Sequence, residues 1–119
     1  MARFGRKSAS DSNFYNKEVA LNELIGAFVS NSATVTSVDD SDTVQTLLVA
    51  NTDRKGFSIY NDSTAILYVK LGSGASSTDF SFEIKPEGYY ESGGIAYTGI
   101  ITGTWASNQS GAAKITELE

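Results

Sequence analysis

Ala65-Ile66-Leu67-Tyr68-Val69-Lys70-Leu71, followed after the loop Gly72–Thr78 by Asp79-Phe80-Ser81-Phe82-Glu83-Ile84, decides the fold class. The second run alternates. Phe80, Phe82 and Ile84 share one side and Ser81 and Glu83 the other, which is the period-two pattern of a strand with one dry and one wet face. The first run is apolar on both sides, with Ala65, Leu67, Val69 and Leu71 on one face and Ile66 and Tyr68 on the other. A strand of that kind is covered on both faces. A short helix near residue 21, or a neighbouring subunit, supplies the second cover.

Outward from these two strands the pattern stays β. Thr and Val alternate in Ala33–Val38, and the acidic turn Asp39-Asp40-Ser41-Asp42 follows. Val44–Ala50 and Gly56–Tyr60 read as strands, the latter with Phe57 and Ile59 on one face. Asn61-Asp62-Ser63-Thr64 has hairpin-turn composition, because Asn and Asp cap their own backbone. Lys85-Pro86-Glu87-Gly88 has proline at the second position of a β-turn. Tyr89–Glu91, Ala96–Trp105 and Ala112–Leu118 complete about eight short strands at regular turn spacing. The expectation is all-β: a small antiparallel β-sandwich or jelly-roll-like barrel. The lone proline sits in a turn and contradicts no strand.

The first thirty residues differ from this body. Residues 1–13 are rich in Ser, Gly, Asn and basic side chains and show no periodicity, the composition of an extended arm. Leu21, Leu24, Ile25 and Phe28 fall at i, i+3, i+4, i+7 and predict a short helix within 14–29, with cap oxygens at Ser10–Asn13 and Gly26 weakening its end. Two segments result: an arm with a short helix (1–30) and a β body (31–119). Residues 1–10 carry Arg3, Arg6 and Lys7 and no acid. The remainder carries six bases against fourteen acids, a balance of −8. An acidic body with a basic tip is suited to docking by the tip. Arg3, Phe4, Arg6, Lys7, Phe14 and Tyr15 are the arm residues expected to contact a partner.

Composition narrows the function further. There is no histidine and no cysteine. The commonest general base, thiol chemistry, disulfides and the usual zinc and iron–sulfur ligands are therefore missing. Glu83, Glu87 and Glu91 lie near one expected hairpin, beside turns or on its wet face, where solvated charge is the simpler reading than a catalytic pair. The acidic turn at 39–42 lacks the twelve-residue loop and terminal glutamate of a calcium site, and Gly72-Ser73-Gly74 precedes no helix that would make it a phosphate loop. No catalytic, metal or cofactor residue is assigned, and no cofactor is expected; the chain reads as non-enzymatic. The charge of the body disfavours nucleic acid. No apolar run approaches the ~20 residues of a membrane span. Met1–Ser8 has no apolar segment after its charges, so no secretory signal is expected, and Asn61-Asp62-Ser63 and Asn108-Gln109-Ser110 read as turns, not glycan sites. Ile66, Tyr68, Tyr89, Tyr90 and Trp105 are candidates for an oligomer interface; core packing or sugar stacking are the other uses of such aromatics.

Arg54-Lys-Gly-Phe-Ser-Ile-Tyr-Asn-Asp-Ser63, Ala65-Ile-Leu-Tyr-Val-Lys-Leu-Gly72, Tyr89-Tyr-Glu91 and Tyr97-Thr-Gly-Ile-Ile-Thr-Gly-Thr-Trp105 together resemble small proteins encoded among the structural genes of tailed bacteriophages. The resemblance covers about residues 45–118. It implies a virion structural protein, preferentially a capsid decoration (cement) protein on the major capsid protein, with tail, neck or spike adaptors and a carbohydrate-binding module as alternatives. It implies no catalytic residues. A cement protein is made in the host cytoplasm, ends in the virion, and repeats its weak contacts many times over. Closed cyclic self-assembly is expected with it, a homotrimer being the preferred form.

Overall fold

The computed structural model describes residues 29–119. The expected arm and helix at 1–28 lie outside the described residues. Asn31–Glu119 form one compact unit, and among the described residues there is no helix. Eight strands make it up: β1 (Ala33–Asp39), β2 (Gln45–Leu48), β3 (Gly56–Asp62), β4 (Leu67–Leu71), β5 (Phe82–Ile84), β6 (Tyr89–Glu91), β7 (Ile101–Trp105) and β8 (Ala112–Leu118). They form two four-stranded sheets, in the orders β1-β8-β3-β6 and β2-β7-β4-β5. Every pairing between these strands is antiparallel.

The alternating faces of the strands explain the core. Phe57 and Ile59 of β3 and Ala113 and Ile115 of β8 point inward from the first sheet. Leu67 and Val69 of β4, Ile84 of β5, and Ile101 and Trp105 of β7 meet them from the second. The two inner faces together make a single apolar layer, as in sheet-on-sheet packing. Gly103 sits at its middle because a Cβ there would come within 2.8 Å of Leu47 Cδ1 and 3.0 Å of Leu67 Cδ1. At the rim, the Phe82 and Tyr90 rings stack at 3.9 Å between β5 of one sheet and β6 of the other.

The structure corrects several expectations. Asn61–Thr64 is not a hairpin turn. β3 and β4 belong to different sheets, so the chain crosses between layers there. Lys85–Gly88 is also a crossing, though its turn is as expected: Gly88 N–H donates to Lys85 O at 2.7 Å, and Glu87 takes the positive φ of 62° that the third residue of a type II turn requires. Phe80 does not point inward. Ser81 bends the chain, its N–H donating to Val69 O at 2.7 Å and its Oγ accepting from Leu71 N–H at 2.9 Å. Phe80 is thereby moved to the outer face against Tyr68, with ring centroids 5.0 Å apart. Ala96–Gly99 belong to a loop, and β7 starts only at Ile101.

Part of the outer face of the β4 sheet is covered by the chain that follows β4, Phe80 lying on Tyr68. The loop after β4 folds over β7. Ala75 N–H donates to Thr102 Oγ1 at 3.1 Å, and that hydroxyl donates to Gly72 O at 2.7 Å. Thr102 and Thr104, polar residues on an outer face, are consequently buried.

Candidate interaction surfaces

The loops gather at two ends of the sandwich. Residues 49–55, 72–81 and 92–100 lie at the end where β1 begins and β8 finishes, because Leu71 pairs with Ile101 and Ala33 with Leu118. The acidic turn 39–44, the crossings 62–66 and 85–88, and the loop 106–111 lie at the other.

Arg54 organises the first end. Its side chain is fully buried, and its Nε donates to Glu117 Oε2 at 2.8 Å in an ion pair. Its guanidinium also donates to the carbonyls of Tyr97 (2.7 Å), Gly99 (3.0 Å) and Val49. A buried cation persists only when paired and hydrogen-bonded; here the planar donor fork is matched to three carbonyls on two loops. Asn51 N–H donates to Thr98 O at 2.8 Å and reinforces the same junction. Beyond this fastening project Val49, 68% exposed, and Ile95, 92% exposed. Gly93 and Gly94, just before Ile95, have open space where a Cβ would be. Val49 and Ile95 are single apolar side chains exposed on the loops that Arg54 holds together. Sequence reading assigned neither Val49 nor Ile95; the Gly-Gly-Ile sequence was the available signal.

The five aromatic and apolar interface candidates do not converge. Trp105 is 2% exposed, and its indole N–H donates to Asn61 Oδ1 at 3.2 Å. It is a core residue and presents no surface to a partner, because the parity of β7 turns it inward. Tyr90 is half-buried and stacked on Phe82. Ile66 is half-buried in the crossing before β4, and Tyr68 is half-buried on the outer face of the other sheet beneath Phe80. Tyr89 alone is well exposed, at 60%. It lies beside Tyr60 through the β3–β6 register. Its phenol is held above the ordinary tyrosine value, by loss of solvation and then by the charge and hydrogen bond of Glu91. The arm candidates Arg3, Phe4, Arg6, Lys7, Phe14 and Tyr15 lie outside the described residues.

The carboxylates are dispersed. Glu83 and Glu91 sit on different sheets, and Glu87 is in the turn between them. Asp40 is buried and accepts the Gln109 N–H at 3.1 Å, a structural use. Among the described residues no three potential metal ligands come together. A cleft of about 460 Å³ opens at the acidic end between Asp39, Asp40 and Asn108–Gly111, and one of about 380 Å³ lies between the acidic turn (Asp42, Val44) and the loop residues Ala75 and Ser76 that fold back over β7. Comparison with protein-family models, with curated proteins and with solved structures finds no significant match to this chain.

Proposed function

We propose that this chain is a non-enzymatic structural protein of a tailed-phage virion, a decoration protein that docks on the major capsid protein, and that its sandwich is a jelly roll. The strand order carries the reading. The pairs β1–β8, β2–β7, β3–β6 and β4–β5 are nested, with the first and third in one sheet and the second and fourth in the other. A long antiparallel ribbon folded over on itself produces that order, and double-sheet rolls of this kind recur in viral capsid and lectin domains. Fold analogy alone does not assign function. The phage-like segments 54–63, 65–72, 89–91 and 97–105 support the virion half of the reading, and they contain β3, β4, β6 and β7 whole. The docking elements are the basic arm, with Arg3, Phe4, Arg6, Lys7, Phe14 and Tyr15, and the loop end presenting Val49 and Ile95.

Cosedimentation with phage heads lacking the protein tests the proposal. Deleting residues 1–13 leaves a folded body that no longer binds, and Ile95→Asp weakens binding of the full chain without changing its stability. Undiminished binding by both variants refutes docking through these elements. A copy number of about three to twelve per virion, as closed rings give, favours a tail or neck adaptor instead. The adjacent Tyr60 and Tyr89 favour the carbohydrate-binding alternative, which predicts glycan binding that Tyr89→Ala abolishes.

A further inference from the structure

Among the described residues four strand edges have no partner strand in the two sheets, and three of them are guarded. β5 and β6 span three residues each and carry Glu83 and Glu91. β2 spans four, and its register shifts between Thr46 and Leu48. Short length, charge and irregularity are the devices that keep an edge from pairing. β1 is neither short nor irregular, and its one charge, Asp39, stands at its very end. It runs seven residues in regular register with β8, and Ala33-Thr34-Val35-Thr36-Ser37-Val38 contains no charge and no proline. Val35 is 68% exposed. Thr34 and Thr36, on the inner side, are exposed as well, so the second sheet does not roof this strand before Val38, which packs on the core.

The phase of the β1–β8 hydrogen bonds shows what the edge offers. Ser32 N–H donates to Glu119 O at 3.3 Å, Glu119 N–H donates to Ser32 O at 2.8 Å, and Asp40 N–H donates to Gly111 O at 3.1 Å. Bonded pairs in an antiparallel ladder recur every second residue. Thr34, Thr36 and Val38 therefore direct their backbone groups at β8, while Ala33, Val35, Ser37 and Asp39 direct theirs away from it. Among the described residues no strand takes them up.

We propose that the β1 edge is a self-association surface, and that it pairs antiparallel with β1 of a second copy about a two-fold axis centred on Thr36. In this register Val35 exchanges hydrogen bonds with the partner's Ser37, and Ala33 with the partner's Asp39, so every outward backbone group is used. Thr36 lies opposite the partner's Thr36 and Thr34 opposite the partner's Val38, favourable cross-strand pairs. The occupant is a second copy because the strand is its own complement in charge. The two Asp39 residues fall at opposite ends of the ladder, about 20 Å apart at ~3.4 Å per residue, well beyond the ~8 Å screening length. No like charges are opposed, although each chain is acidic. The product is a continuous eight-stranded sheet, β6-β3-β8-β1-β1-β8-β3-β6. It is a two-fold contact, in place of the trimer preferred on sequence grounds. The pairing needs only the geometry of β1 and holds whether or not the protein belongs to a virion.

Sedimentation equilibrium of the full chain over a wide concentration range, with hydrogen exchange of individual amides, tests it. The expected species is twice the 12.7 kDa chain mass. With rising concentration the Val35 and Ser37 amides gain protection, and the Thr34 and Thr36 amides, bonded within the chain, stay unchanged. Val35→Pro removes one outward N–H and no β1–β8 bond. Val35→Lys keeps the N–H and adds an edge charge. Each weakens the dimer at least about tenfold, roughly 1.4 kcal/mol, with Trp105 emission unchanged. A chain that stays at 12.7 kDa, a three-fold mass, a folded Lys or Pro variant that dimerises as tightly as the natural chain, or Val35 and Ser37 amides indifferent to concentration each overturns the proposal.

Discussion

Replacing Asn61 by alanine tests the central polar tie of the sandwich. Asn61 is 0% exposed. Its amide donates to Ala65 O at 2.8 Å and to Ile84 O at 2.9 Å. Its oxygen accepts from Ser63 Oγ at 2.8 Å and from the Trp105 indole N–H at 3.2 Å. Both donors and both lone pairs are thus occupied, and β3, β5 and β7 are joined across the two sheets. In Asn61→Ala the Ala65 carbonyl keeps the Ser63 hydroxyl at 3.1 Å, but the Ile84 carbonyl and the indole N–H lose the partners named here. Each buried orphan costs about 1–3 kcal/mol, so the expected loss is about 4 kcal/mol. That is a large share of the ~5–15 kcal/mol that holds a domain folded. The chain has one tryptophan, and it is the partner in question. Urea unfolding followed by Trp105 fluorescence therefore reads both the loss of stability and the local environment. Combining Asn61→Ala with Trp105→Phe in a double-mutant cycle, with all four chains followed by far-UV circular dichroism, isolates their shared bond, expected at about 1 kcal/mol. A loss below about 1 kcal/mol for Asn61→Ala, with an unchanged m-value, would refute the view that this side chain ties the layers together.

Other perturbations follow from the same geometry. Arg54→Met strands Glu117 and the carbonyls of Val49, Tyr97 and Gly99 and is expected to lower stability by about 3–5 kcal/mol, with Arg54→Met/Glu117→Leu recovering part of it in the same urea assay. Gly103→Ala forces a methyl group against Leu47 and Leu67, and calorimetry is expected to show a loss of about 1–3 kcal/mol from overpacking. Glu87→Gly relieves the left-handed backbone at φ 62°; the release of about 1–2 kcal/mol exceeds the ~0.5–1 kcal/mol entropic penalty of glycine, and Tm is expected to rise slightly. Tyr89 is protonated more readily in the folded chain than in the unfolded one, so its contribution to stability is complete below the ordinary tyrosine value near 10 and is lost as pH rises through the higher folded value. Glu91→Gln is expected to move the Tyr89 titration, followed by the NMR shift of its ring carbon Cζ, back toward 10.

Local pattern carried much of this fold. Alternation at Phe57 and Ile59 is a property of consecutive residues and identified a strand and its dry face directly, while Leu67–Leu71 and Ala112–Leu118 were legible as strands. The turn at Lys85–Gly88 was equally legible, since proline presets its second position. Phe80 was misread because one bend at Ser81, stabilised by hydrogen bonds to β4, reverses parity, and nothing in Asp79–Ile84 encodes that bend. Trp105 and Asn61 were read as surface and turn for a related reason: an aromatic or an amide has the same composition signal on either face, and only the partner strand decides which face is dry.

Residue types and their periodicity by themselves determined that the body of this chain is all-β, with about eight strands, that the body is acidic and the start basic, and that imidazole and thiol chemistry are closed to it. Those are properties of composition and of near neighbours, where short-range sterics and alternation dominate. Only the tertiary structure decided that the strands nest as β1–β8, β2–β7, β3–β6 and β4–β5, that Arg54 fastens two loops near Val49 and Ile95, and that β1 is the one long edge among the described residues that is regular and uncharged up to its last residue. Such features depend on which segments distant in sequence share hydrogen bonds, and the pairing of Ala33 with Leu118 and of Asp39 with Ala112 at the two ends of one ladder leaves no mark within either strand alone.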